Sequence, residues 1–170
     1  SYDGPIILDR TTTISFRARH GDLVSPVLHA RFDAIVHDWQ VSLGSVPNPQ
    51  YTAGGPDALI DGRRGVEDWR VGFWHGYQAQ DFVAALDLGE QVPLRRAGAG
   101  FLQDMRSWIW MPTELVVEVS ADGRIFREAG RVGHDVPDDV EGNFIRDLVV
   151  DLDGRPVRHL RFRATNYGTI

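Results

Sequence analysis

Trp69, Arg70, Trp74 and His75 stand close together, and Gln103, Asp104, Arg106, Trp108 and Trp110 form a second group further along the chain. Aromatic planes interleaved with Arg, Asp, Gln and His suit the recognition of sugars. A pyranose has an apolar C–H face and a rim of hydroxyls. An indole or phenol plane covers the face, while guanidinium, carboxylate, imidazole and amide groups reach the rim with paired donors and acceptors. Tyr77 and Asp68 belong to the same set. Four of the five tryptophans lie between positions 69 and 110, mixed with Gly, Asp, Arg and His rather than spaced as a helical stripe. The competing reading is that these large rings only fill a core, and the residue types leave both open.

Glu67, Asp68 and Asp104 raise a second possibility, a carboxyl pair for glycoside hydrolysis. That chemistry needs two carboxyls flanking one bond, about 5–10 Å apart. Acidic residues on Gly-rich loops more often receive hydroxyl or backbone donors. Other catalytic signatures are absent: there is no G-x-S-x-G, P-loop or H-E-x-x-H. The Gly98-Ala99-Gly100 run lacks the third glycine of a dinucleotide loop. The six histidines, at 20, 29, 37, 75, 134 and 159, show no metal-ligand spacing. His159 precedes the outward-facing positions 161 and 163, which predicts an exposed ring.

The elements that must hold these groups read as strands. Residues 11–19 alternate, with Ile14, Phe16 and Ala18 on one face and Thr and Arg on the other. His20-Gly21-Asp22 reads as a turn, and residues 23–32 as a strand broken at Pro26. Two such strands bury too little to stand alone in water. Residues 46–49 are a Pro-rich loop, with Trp39 and Val41 before it as candidates to pack on the following domain. Residues 57–60 suit one helical turn, and 63–80 long loops. Phe82, Ala84, Leu86 and Leu88 alternate until Gly89 ends the run. Residues 94–102 form a Gly-rich strand leading into the 103–112 loop. Leu115, Val117 and Val119 alternate before Asp122-Gly123, a type I′ hairpin signal, with Ile125 and Phe126 opening the return strand. Residues 133–142 are acidic and solvated. Leu148, Val150 and Leu152 share a face that Leu160, Phe162 and Ala164 mirror across an Asp153-Gly154-Arg155-Pro156 turn. Many short strands with Gly, Pro and Asp turns predict an all-β antiparallel sandwich.

Composition agrees: 170 residues, 42% hydrophobic and 25% charged, are an ordinary globular chain able to bury a core. A net charge of −6 argues against a nucleic-acid groove or an anionic membrane surface. There is no cysteine, hence no disulfide or thiolate metal site, and no apolar run long enough to span a membrane. No signal peptide opens the chain, which begins without Met and reads as an excised piece of a larger protein.

Several stretches resemble a known family in order as well as content. Ala58-Leu59-Ile60-Asp61-Gly62, then Trp69, then Asp81-Phe82 with Asp87-Leu88-Gly89, are similar to the opening of a discoidin, or coagulation factor 5/8 type C, domain. Val117-Glu118-Val119-Ser120 with Asp122-Gly123 and Phe126 fits its middle, and Leu160-Arg161 with Arg163-Ala164 a late strand. The motifs at 54–62, 74–82 and 100–112 resemble most the module at the C-terminus of bacterial β-hexosaminidases (chitobiases, family 20 glycoside hydrolases). Residues 2–6 and 11–32 resemble the last strands of the immunoglobulin-like domain that precedes it in such enzymes.

The resemblance implies a discoidin-like jelly roll over residues 34–170, its last strand lacking, preceded over 1–33 by immunoglobulin-like end strands. It implies a non-catalytic module like family 32 carbohydrate-binding modules, taking galactose- or N-acetylhexosamine-type glycans. Its partner in the same chain would be an upstream catalytic domain, in a secreted, cell-surface or periplasmic enzyme. Relatives usually carry a structural calcium. Asp61 occupies a matching ligand position with the carbonyls of 64–66 beside it, but Val66 stands where Thr is common, leaving the donor set short. A structural or protein-interaction module bracing the catalytic domain is the other reading, because discoidin folds also bind proteins and lipids.

Overall fold

The computed structural model describes residues 4–168. The chain divides into two compact units, Ser1–His37 and Asp38–Ile170. In the first, β1 (Thr12–Phe16) lies antiparallel to a strand that follows a small hairpin, β2 (Arg19–His20) with β3 (Leu23–Val24). Gly21 turns that hairpin at a positive φ of 59°, which glycine adopts without steric cost. β4 (Leu28–Phe32) then pairs with β1, placing Phe16 opposite Leu28 and Ile14 opposite Ala30. Pro26 stands in the gap between β3 and β4, as its missing N–H requires. Two two-stranded ribbons do not by themselves define an immunoglobulin-like fold.

The second unit is built on two long strands. β5 (Gln40–Leu43) pairs with the first part of β6 (Phe82–Asp104). β7 (Leu115–Ser120) and β8 (Arg127–Val132) form an antiparallel hairpin. β9 (Asn143–Ala164) runs antiparallel to β6 along its whole length, and its second half also pairs with β7. The order across the sheet is β5-β6-β9-β7-β8.

One hydrogen-bonded sheet becomes a two-layer sandwich because β6 and β9 bend together. Their register shifts between Asp87 and Val92 and again between Leu94 and Arg96. On the facing strand Asp153 and Gly154 take φ of 53° and 73°. The Gly89 expected to end a strand is therefore a corner within β6. The Asp153-Gly154 turn leads from one layer into the other rather than closing a hairpin. Leu148, Val150 and Leu152 from the first half of β9 meet Val157, Leu160 and Ala164 from the second half, with Leu88, Leu115 and Val117, in one buried cluster. The period-two spacing within Leu148, Val150 and Leu152, within Leu115 and Val117, and between Leu160 and Ala164 makes the contact: a one-residue slip would turn each of these runs outward. Gly130 on β8 shows how close the layers are, since a Cβ there would lie 2.5 Å from Val150 Cγ1. Among the described residues the helices are three single 3-10 turns, Pro56–Leu59, Trp69–Val71 and Met105–Ser107.

Three local expectations are corrected. The β7–β8 connection spans residues 121–126, so Ile125 and Phe126 lie in the loop and the return strand starts at Arg127. Gly123 has a positive φ and Asp122 does not, which excludes a type I′ turn. Instead the Asp122 carboxylate accepts the N–H groups of Arg124 and Ile125, at 2.9 and 3.0 Å, folding the chain around its own side chain. These backbone donors hold its pKa down to about 2. His159 is not exposed: its side chain is 17% accessible and its Nδ1 lies 3.7 Å from Asp87 Oδ1. The β7–β8 connection explains this, because Gly123 lies against the ring, where a Cβ would stand 3.2 Å from His159 Nδ1. Arg161 makes two bonds to Glu118, at 2.6 and 2.9 Å, while its guanidinium lies 4.4 Å from the Phe126 ring centre.

Candidate functional site

The stretch that leaves β6 closes into a tight loop. Asp104 and Ile109 exchange backbone bonds of 2.9 and 3.1 Å across its neck, and Met105–Ser107 forms a 3-10 turn between them. The turn ends with Trp108 in the left-handed region, at φ 60° and ψ 38°. A bulky L-residue is strained there. The conformation leaves the Trp108 indole at the loop tip, and the residue is 76% accessible.

Trp108 is the free end of an aromatic row. Its ring centre lies 5.7 Å from that of Trp110, at an interplanar angle of 59°. Trp110 stacks on Tyr167 at 5.9 Å and 27°. The Tyr167 hydroxyl donates to Asp138 Oδ2 at 2.7 Å, which raises its pKa. Beside Trp108 in sequence, Arg106 donates to Glu141 Oε2 at 2.6 Å. The chain after β9 is brought here because Thr113 and Thr165 cross-bond β7's approach to β9's exit, and Asn166 N–H donates to Asp81. Aromatic planes that end in a phenol paired with a carboxylate offer an apolar platform with a donor and acceptors at its margin.

The first aromatic loop meets the second through a partly buried relay. Trp69 donates its indole N–H to Ser107 Oγ at 2.9 Å, and Ser107 donates to Asp104 Oδ2 at 2.6 Å. Asp104 is 6% accessible, so its carboxylate has been withdrawn from solvent to fix the turn that carries Trp108. Tyr51 packs its ring edge-on to Trp69 at 5.6 Å, and Arg70 covers Trp69 with its guanidinium carbon 4.9 Å from the ring centre. Asp68 caps the 3-10 turn by accepting the Arg70 N–H. Replacing Ser107 with alanine leaves a buried carboxylate oxygen without its donor and Trp69 without its acceptor. The expected loss is about 1–3 kcal/mol of stability, read as a lower denaturant midpoint at unchanged slope and largely recovered in Ser107→Thr, which retains the hydroxyl.

Other residues expected on a binding rim brace the loops instead. Gln103 is 1% accessible and donates its amide to the Pro137 carbonyl at 3.0 Å. Trp74 donates to the Val66 carbonyl at 2.8 Å, with its ring laid against Gly65. His75 is half-buried, and burial lowers its pKa. Its Nε2–H donates to the Gly55 carbonyl at 3.0 Å, and Nδ1 accepts the Tyr77 hydroxyl at 3.2 Å, a neutral tautomer fixed by two partners. Trp108 and Arg106 are exposed, and Trp110 is half-buried against Trp108. Trp69 and Asp104 hold the turn that carries Trp108, Arg70 is exposed over Trp69, and Trp74, His75 and Gln103 hold loops.

Sequence reasoning missed Tyr167, Asp138, Glu141 and Ser107. Ser107 lay inside a motif already singled out, three residues after Asp104, a spacing suited to a local side-chain bond. The other three depend on pairing across the fold and had no local signal.

Calcium takes six to eight oxygens. Asp61 supplies one carboxylate, whose Oδ1 already accepts the Arg63 N–H at 2.8 Å. Val66 has no hydroxyl, and its carbonyl is engaged by Trp74. Among the described residues no group of three or more His, Cys, Asp or Glu side chains is gathered. The hollow beside Asp61 is lined also by Arg63 and Phe73. This donor set does not fit a hard divalent cation.

No protein-family model matches the chain, and no curated protein matches it in sequence. Solved structures do resemble it. A fucose-binding module of Streptococcus pneumoniae is 12% identical, with 81% of this chain and 90% of that one covered and a TM-score of 0.50. A family 32 carbohydrate-binding module of Clostridium perfringens, solved with GalNAc-β-1,3-galactose, is 17% identical over 75% of this chain and 84% of that one, at a TM-score of 0.47. The C-terminal domain of a chitobiase from Bacteroides fragilis is 14% identical over 79% of this chain and 85% of that one, at 0.41. At these identities the likeness concerns the fold: the chain is all-β and antiparallel, a β-sandwich of the kind the fucose-binding module has.

Proposed function

We propose that the unit Asp38–Ile170 is a non-catalytic carbohydrate-binding module, and that Trp108 stacks a sugar with Trp110 and Tyr167 extending the platform. The observation that carries this reading is the exposure of Trp108, 76%, on a backbone conformation that costs free energy to hold. Strain of that kind persists where a surrounding structure imposes it, and it concentrates at functional sites. Arg106, Glu141 and Asp138 supply hydroxyl partners at the margin. Two of the three carboxylates near the loops are engaged in structure, Asp104 in holding Ser107 and Asp68 in capping a turn, which supports binding rather than hydrolysis.

The ligand class is a galactose- or N-acetylhexosamine-type glycan. The parent protein is a secreted, cell-surface or periplasmic β-N-acetylhexosaminidase whose catalytic domain lies upstream and is held on glycan by this module. Calorimetric titration against a panel of galactosides and N-acetylhexosaminides tests this, with saturable binding expected at dissociation constants of roughly micromolar to millimolar. Absence of binding across the panel, together with thermal stabilisation on adding the catalytic domain, would overturn it in favour of a bracing role.

A further inference from the structure

The loop of residues 54–75 is the segment for which family resemblance implies a calcium, and its donors do not fit one. We infer that the chain's own side chains close this loop, so that its fold is independent of calcium. Four contacts do the cross-linking. Arg64 reaches across the sheet to pair with Asp147 on β9. Gly100 on β6 lies beneath that pair, where a Cβ would stand 3.2 Å from Asp147 Oδ1 and 3.5 Å from Arg64 Nη2. Trp74 ties the Val66 carbonyl, and its ring lies so close to Gly65 that a Cβ there would fall 2.2 Å from it. His75 ties the Gly55 carbonyl. Asp61 Oδ1 accepts the Arg63 N–H.

Charge points the same way. A calcium loop concentrates anionic oxygens. Here two consecutive arginines, Arg63 and Arg64, follow Asp61-Gly62. Arg63 lines the hollow beside Asp61, and its positive charge opposes a divalent cation there. An arginine reaching a carboxylate on another strand joins loop to sheet as a shared metal would, without needing several oxygens at one point.

The test is thermal melting of the whole chain in EDTA and in millimolar calcium chloride, for the wild type, Asp61→Asn and Trp74→Phe. Glycan is absent, so the result is independent of the sugar-binding proposal. Wild type and Asp61→Asn are each expected to melt within about 1 °C of themselves in the two media. Trp74→Phe keeps the ring and loses the indole N–H, and is expected to melt about 2–4 °C lower in both. A saturable rise of the wild-type midpoint with calcium, abolished in Asp61→Asn, would overturn the inference. So would a Trp74→Phe protein that melts with the wild type in EDTA.

Discussion

Trp108→Ala is expected to weaken glycan binding by at least about tenfold, roughly 1.4 kcal/mol, while leaving the thermal midpoint nearly unchanged. The two effects separate because of where the residue stands. Its side chain is largely exposed, so truncation removes little buried area. Its backbone sits at φ 60°, a region that costs a non-glycine residue roughly 1–2 kcal/mol. Trp108→Gly carries the argument further, because glycine relieves that strain. Relief of the strain and the greater entropy of the unfolded glycine chain act in opposite directions, and the first is the larger at a left-handed position. Calorimetry on the two variants checks both halves. A Trp108→Gly protein that is clearly less stable than the wild type would show the indole to be a packing element.

Leu160→Ala is expected to have the largest effect on stability, about 2–5 kcal/mol, read as a fall in denaturant midpoint. Leu160 is 1% accessible and stands in the middle of the sheet, opposite Leu86 on one side and Val119 on the other. It belongs to the cluster in which both halves of β9 meet. Its removal opens a cavity between two layers that the continuous backbone of β6 and β9 keeps from closing. Against a typical total of about 5–15 kcal/mol, a loss of that size leaves the fold marginal. A loss below about 1 kcal/mol would mean that the layers are loosely packed there.

The alternation of Leu148, Val150 and Leu152 and of Leu160, Phe162 and Ala164 was legible because period two needs no knowledge of partners. The same holds for Leu115, Val117 and Val119. What alternation does not carry is which layer a strand belongs to. Gly89 and Asp153-Gly154 read as ends because turn residues look alike whether a chain reverses within a sheet or bends between two. At Asp122-Gly123 the dipeptide signalled a hairpin correctly, but its geometry was decided by the Asp122 carboxylate reaching two N–H groups beyond it.

The candidate site was legible in composition and not in arrangement. Trp108 and Arg106 remain exposed and Trp110 half-buried, whereas Gln103 and Asp104, next to them in the same motif, are buried. A change of backbone at one residue decides that difference: the strand ends at Asp104 and the 3-10 turn begins at Met105. Tyr167 comes from a segment 57 positions after Trp110 and meets it only because β9 returns to pair with β7.

The Trp108–Trp110–Tyr167 platform is the proposed resting place of the sugar. The most direct measurement is a titration of isotope-labelled protein with galactose- and N-acetylhexosamine-type oligosaccharides, followed at the indole N–H signals. Saturable shifts are expected at Trp108 and Trp110. Only small ones are expected at Trp69 and Trp74, whose N–H groups are already committed to Ser107 and the Val66 carbonyl. Shifts confined to Trp74, or no saturable shift at Trp108 with any of these glycans, would contradict the account.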